Sequence, residues 1–252
     1  MGQNRTLNAS QSAAARVAGI ALLLGIAIVV IANYSVSFRL IVPNNAVDTA
    51  LNISTHELLF RANIVCDVLY LVDLLVLLVA LYVVLKPVNQ GAALVAAVFR
   101  LVLALAWAVI AWKMLGVLRL LGDTGYLSVF GTEQLRTLAM LRLSDANNAY
   151  YIGLPFWGLA STVCSVLWLK SKYIPKALAA YGVIASVWCV FCALAFIALP
   201  HFDKMVHAGL FDVPLVLFEL VLGLWLLLKG VRASDTGAQP VVQADAQKAR
   251  AA

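Results

Sequence analysis

Arg61 to Arg100 reads RANIVCDVLYLVDLLVLLVALYVVLK, then PVNQ, then GAALVAAVFR. Two long apolar runs flank the four residues Pro87–Gln90, so the stretch predicts a helical hairpin with a tight turn. The first run carries Asp67 and Asp73, and the second carries Arg100. A charge at the bilayer centre costs at least about 2.5–3.5 kcal/mol on insertion scales, so these side chains should face one another inside a bundle.

Composition extends that reading to the whole chain. Of 252 residues, 63% are hydrophobic and 12% charged, and the mean hydropathy is +0.95. Soluble domains average about 45–50% apolar and about 25% charged residues. Apolar runs of spanning length recur from end to end, which describes one membrane domain rather than an anchored soluble one. The net charge of +6 does not point to nucleic acid, because the basic residues are scattered at loop ends. The four cysteines, Cys66, Cys164, Cys189 and Cys192, fall inside apolar runs, which argues against a disulfide framework. Cys189 and Cys192 have redox-pair spacing, but small packing residues of a membrane helix read the same way.

Taken in order, the chain opens with a polar, disordered tail over 1–12. Residues 13–232 form an all-α domain of six transmembrane helices, at about 16–36, 56–85, 91–118, 146–169, 175–199 and 211–229. Gly19 and Gly25 give the first span a small-residue face. Its apolar run exceeds the usual signal-peptide core of about 7–15 residues, so it reads as an uncleaved span. Residues 34–55 form a loop with its turn at Pro43–Asn45. Thr132–Leu143 is amphipathic and too short to span, so it is expected to lie along the interface as a separate helix. Residues 233–252 read as a second disordered tail.

Lysine and arginine set the orientation. Lys86, Lys170, Lys172, Lys176 and both tails form the richer, cytoplasmic set. Arg39, Lys113, Arg119, Arg136, Arg142 and Lys204 fall opposite.

Depth then locates the candidate site. Asp73 lies thirteen residues before Lys86, about 20 Å along a helix, and Arg100 lies ten residues after Gln90, about 15 Å. Glu219 lies ten residues before Lys229, also about 15 Å. All three belong near the midplane. Arg100 is expected to pair with Asp73, with Glu219 close enough to share it. Asn63, Asp67 and Tyr70 continue a polar stripe outward on the second span. This buried centre serves either as a path for a small molecule, ion or lipid, or as an ion-pair network that fixes helix pairing. His56, His201 and His207 lack zinc-site spacing, and no phosphate loop, hydrolase elbow or dinucleotide fingerprint is present, so no metal, cofactor or catalytic residue is assigned. The aromatic set Tyr34, Trp112, Tyr126, Tyr150, Tyr151, Trp168, Tyr173 and Trp225 reads as an interfacial belt.

The stretch LLFRANIVCDVLYLVDLLVLLVALYVVLKPVNQGAALVAAVFRLV, with the later GLPFWGLASTVCSVLWLKSKYIPKALAAYGVIA and FELVLGLWLLLKGV, resembles a bacterial family of membrane proteins, the domain-of-unknown-function family 4386. The likeness runs over about residues 13–232. It implies a multi-pass inner-membrane protein and no activity. The expectation is therefore a multi-pass protein of the bacterial inner membrane, both termini cytoplasmic, that binds or moves a small molecule, ion or lipid. A structural or sensory subunit and a membrane-embedded enzyme stand as alternatives. Besides the bilayer itself, the partners and the oligomeric state are left open.

Overall fold

The computed structural model describes residues 9–32, 38–122, 125–199, 202, 206 and 208–231, and among these it is helical with no strand. Helix α1 is Ala9–Val30, α2 Phe38–Leu40, α3 Ala46–Thr55, α4 Glu57–Leu85 and α5 Gln90–Leu121. After a turn at Gly125–Leu127 come α6 Thr132–Ser171, α7 Lys176–Ala198, α8 Ala208–Phe211 and α9 Val213–Leu228. Among the described residues, α1, α4, α5, α6 and α7 are long and apolar enough to cross a membrane. Helix α9 is as apolar but has 16 residues, about 24 Å of helix against a hydrocarbon core of about 30 Å.

The long helices pack in chain order. Helix α4 lies on α5, α5 on α6, α6 on α7 and α7 on α9, and α1 packs on both α4 and α9. The chain thus closes into a ring. Helix α4 shows the logic of the ring. Its exposed face is Val65, Leu69, Val72, Val76 and Val79, while Asn63, Asp67 and Asp73 are buried. Lipid accepts the apolar face, so the polar residues must turn inward. The α4–α5 hairpin forms as expected, because the Asn89 side chain accepts the Ala92 amide at 2.9 Å and caps the start of α5.

Three expectations need correction. First, Thr132–Leu143 is not a separate interfacial helix; it is the first part of α6, which runs 40 residues through Asn147 and Asn148. Ala139, Leu143, Ala146, Gly153 and Leu154 are buried along one side of it, and Lys113 of α5 grips Asp145 at 2.8 Å between the expected interfacial helix and the expected fourth span. Tertiary packing overrides the local sequence signal. Pro155 sits inside this helix, as membrane helices allow when neighbours re-satisfy the backbone. Second, α1 begins at Ala9, inside the segment expected to be disordered. Gln11 is buried there and donates to the Val84 carbonyl at 3.0 Å and the Tyr173 hydroxyl at 3.1 Å, tying the start of α1 to two neighbouring elements. Third, the 34–55 loop contains α3, capped by Asn45, whose side chain accepts the Asp48 amide at 3.0 Å. Trp168 also leaves the aromatic belt, being fully buried. The tail over 233–252 and the histidines His201 and His207 lie outside the described residues.

Candidate functional site

The ring brings charge together at its centre. Arg100 of α5 is 3% exposed, and Glu219 of α9 is buried with it. One guanidinium nitrogen, Nη2, stands 3.7 Å from Glu219 Oε1. The same carboxylate oxygen accepts the Trp157 indole N–H at 2.9 Å and the Ser161 hydroxyl at 3.1 Å. Trp157 and Ser161 are one helical turn apart on α6, so a single face of that helix supplies both donors. Three helices therefore converge on one oxygen.

Asp73 does not take the place expected of it. Among the described residues, the ion-pair partner of Arg100 is Glu219 and not Asp73. Asp73 is buried and within electrostatic range of both charges. Its Oδ2 is covered by α1: a methyl group on Gly25 would lie 2.7 Å from it and 3.1 Å from the Tyr70 ring. The physical reason for the difference is rotation. Helix rise fixes depth, and depth allowed either carboxylate. The face each helix turns to its neighbours chooses between them, and α1 crowds Asp73 while α6 presents donors to Glu219. A second close approach supports this placement. At Gly19 and Gly223, α1 and α9 meet backbone to backbone, with a Cβ on Gly19 only 2.8 Å from the Gly223 carbonyl oxygen.

The stripe outward of Asp73 behaves differently. Asn63 and Asp67 are each 3% exposed, and among the described residues Asn63 Oδ1 and Asp67 Oδ2 have no hydrogen-bond partner. Tyr70 is half-buried and stands edge-on to Trp107 of α5, with ring centroids 4.7 Å apart. Trp107 in turn meets Tyr150 of α6 at 6.4 Å. These ring contacts link α4, α5 and α6 beside the stripe. On the other side of Arg100, a cleft of about 10 Å³ runs toward the Pro87–Gln90 turn. Leu81, Leu85, Ala93 and Ala96 line it, and Arg100 and Cys164 stand at its head. That is room for about one water.

The sequence reading missed Trp157, Ser161 and Gly25 as members of the site. Trp157 carried a signal: a tryptophan in the middle of a span, away from the interface, has an N–H that must find a partner. The four cysteines are unpaired thiols. Among the described residues, no three His, Cys, Asp or Glu side chains converge to hold a metal ion.

The sequence profile of the family described as Domain of unknown function (DUF4386) matches residues 17–230, so the chain belongs to that family. No curated protein and no solved structure matches it.

Proposed function

Starting from a membership that carries no activity, we propose that this is a six-span protein of the bacterial inner membrane that binds and passes a proton or a small cationic solute through its buried centre. The observation that supports this reading is that two acceptors on one stripe of α4, Asn63 Oδ1 and Asp67 Oδ2, lack a hydrogen-bond partner among the described residues. A network that served packing alone would satisfy its buried polar atoms, since each one left unmade costs about 1–3 kcal/mol. Acceptors without donors fit a ligand that brings its own hydrogens. Charge points the same way. Asp73 and Glu219 both lie within electrostatic range of one cation, Arg100, and a third buried carboxylate, Asp67, stands six residues away from Asp73 on α4. In hydrocarbon the excess negative charge is neutralised by protons or bound cations. On this reading, Asn63 and Asp67 receive the solute, Asp73 hands it inward, and Arg100 with Glu219 forms the barrier it must pass.

The test is flux. The protein is reconstituted in liposomes with an entrapped pH dye, and a pH gradient or methylammonium is imposed from outside. Wild-type protein should dissipate the gradient or take up methylammonium. Asp67→Asn and Asp73→Asn, at equal protein content, should behave as empty liposomes do. Wild-type rates equal to those of empty liposomes for both probes would sink the reading.

A second reading, a structural or sensory subunit, draws on the Arg100–Glu219 contact, which is closed on itself by Trp157 and Ser161. The orientation proposed here places both termini and the Pro87–Gln90 turn in the cytoplasm, following the positive charge of Lys86 and Lys170–Lys176. In a background without the native cysteines, a cysteine at position 88 should escape an impermeant maleimide in intact cells, and one at position 45 should react.

A further inference from the structure

The opposite end of α5 carries a feature that the buried centre does not use. A cavity of about 280 Å³ opens between the end of α5 and the start of α6, and Lys113, Arg119 and Arg142 line it. Leu120 and Leu127 give it an apolar wall, and Trp112, 64% exposed, stands at its edge. The Lys113 ammonium lies 5.3 Å from the centre of the Trp112 ring.

Depth places this cavity in the headgroup layer. Lys113 lies 23 residues beyond Gln90, about 34 Å along the helix, against a hydrocarbon core of about 30 Å. An exposed tryptophan beside a lysine at that level is the usual anchor at a membrane–water boundary.

Charge identifies the ligand. Lys113 Nζ holds Asp145 at 2.8 Å, and Arg142 Nη1 reaches the same carboxylate oxygen at 3.9 Å. Two cations thus share one carboxylate, and Arg142 is half-exposed toward the cavity. These charges also stand where they are least expected. Lys113, Arg119, Arg136 and Arg142 make up most of the basic residues on the side that the positive-inside bias leaves poor. Arg136 meets Glu133 at 2.7 Å, and Lys113, Arg119 and Arg142 all line one cavity. Gly116 also lines the cavity, beside the aliphatic part of Arg142.

We propose that this cavity binds a phosphate group carried by an anionic phospholipid of the outer leaflet, with the phosphate on Arg142, Arg119 and Lys113 and the glycerol against Leu120 and Leu127. Arginine suits the task, since its planar fork matches phosphate oxygens two at a time.

Native mass spectrometry in mild detergent tests this. Phosphatidylglycerol should remain bound to the intact protein where phosphatidylcholine dissociates. The double variant Arg119→Gln with Arg142→Gln should weaken phosphatidylglycerol retention about tenfold or more, as expected for the loss of charge-assisted hydrogen bonds. The control Lys86→Gln with Lys172→Gln removes the same charge at the other end and should leave retention unchanged. Circular dichroism confirms that each variant is folded, and Arg142→Lys, which keeps the charge, should restore part of the retention. Release of the lipid by millimolar inorganic phosphate supports the phosphate chemistry and makes a soluble phosphate the natural source. Equal retention of the two lipids, or an equal loss in the control, overturns the proposal.

Discussion

The two ends of the buried polar centre differ in how their atoms are satisfied. At Glu219, one carboxylate oxygen meets Arg100, Trp157 and Ser161. At Asn63 Oδ1 and Asp67 Oδ2, no hydrogen-bond partner stands among the described residues. Both ends sit in the same ring of helices and both are sealed from solvent. On the proposed reading, it is the satisfaction of these polar atoms, and not their burial, that separates structural charges from working ones. The Glu219 end has what a device for holding helices in register requires. The Asp67 end has the cost of desolvation without the return, and a cost left standing in a folded protein needs a use to explain it.

The largest effect should come from breaking the satisfied end. Arg100→Leu leaves Glu219 buried without its cation and should cost about 3–5 kcal/mol, seen as a collapse of folded yield in detergent. Arg100→Leu combined with Glu219→Leu should recover much of that yield, because a lost pair costs less than an orphaned charge. Arg100→Leu combined with Asp73→Leu should recover less. If the Asp73 double recovers more, the pairing described for Arg100 is wrong. If neither double improves on the sum of its singles, the charges are uncoupled.

A smaller loss is expected at the boundary between the ends. Gly25→Ala places a methyl group 2.7 Å from Asp73 Oδ2. Overpacking of this kind costs about 1–3 kcal/mol, and the melting temperature in detergent should fall accordingly. Asp73→Ala should suppress most of the Gly25→Ala defect by vacating the space. Defects that simply add would show that α1 does not press on Asp73.

Smaller still is the loss of a single donor. Ser161→Ala removes one neutral hydrogen bond to Glu219 and leaves Trp157 and Arg100 in place. A decrease of about 0.5–1.5 kcal/mol follows, read as a modest shift in melting temperature. A loss as large as that of Arg100→Leu would mean that Ser161, not Arg100, organises this end.

Much of this contrast was legible in the sequence, and the limit has a physical form. The α4–α5 hairpin was readable from Pro87–Gln90, because a turn between two apolar runs needs no partner to be recognised. The depth of Asp73, Arg100 and Glu219 was readable from the helix rise. The choice of Glu219 over Asp73 was not, because it depends on how α1 and α6 rotate against their neighbours. The same limit explains α6. The interfacial helix and the fourth span look separate in sequence and join into one helix where Ala139, Leu143 and Ala146 are buried and Lys113 holds Asp145. Gln11 was hidden for a related reason. A lone glutamine in a polar tail gives no sign of the Val84 carbonyl it will reach.

The smallest stability effect, and the one that decides between the ends, belongs to Asp67. If the stripe served packing, replacing a member would destabilise the fold. Among the described residues its Oδ2 makes no hydrogen bond, so no such bond is lost there, and the cost of holding that oxygen away from water disappears. Asp67→Asn keeps the shape and should leave the melting temperature unchanged within about 0.5 kcal/mol, or raise it. Asn63→Leu should behave similarly if its larger apolar volume is tolerated between α4 and its neighbours. The same substitutions should abolish flux in liposomes. A stable protein without activity would place Asp67 among the residues that work rather than hold. A clear fall in the melting temperature of Asp67→Asn would reverse that assignment, for it would mean that Asp67 holds the fold through contacts its unpartnered oxygen does not reveal. The contrast between the two ends would then dissolve, and the stripe would join Glu219 as part of the scaffold.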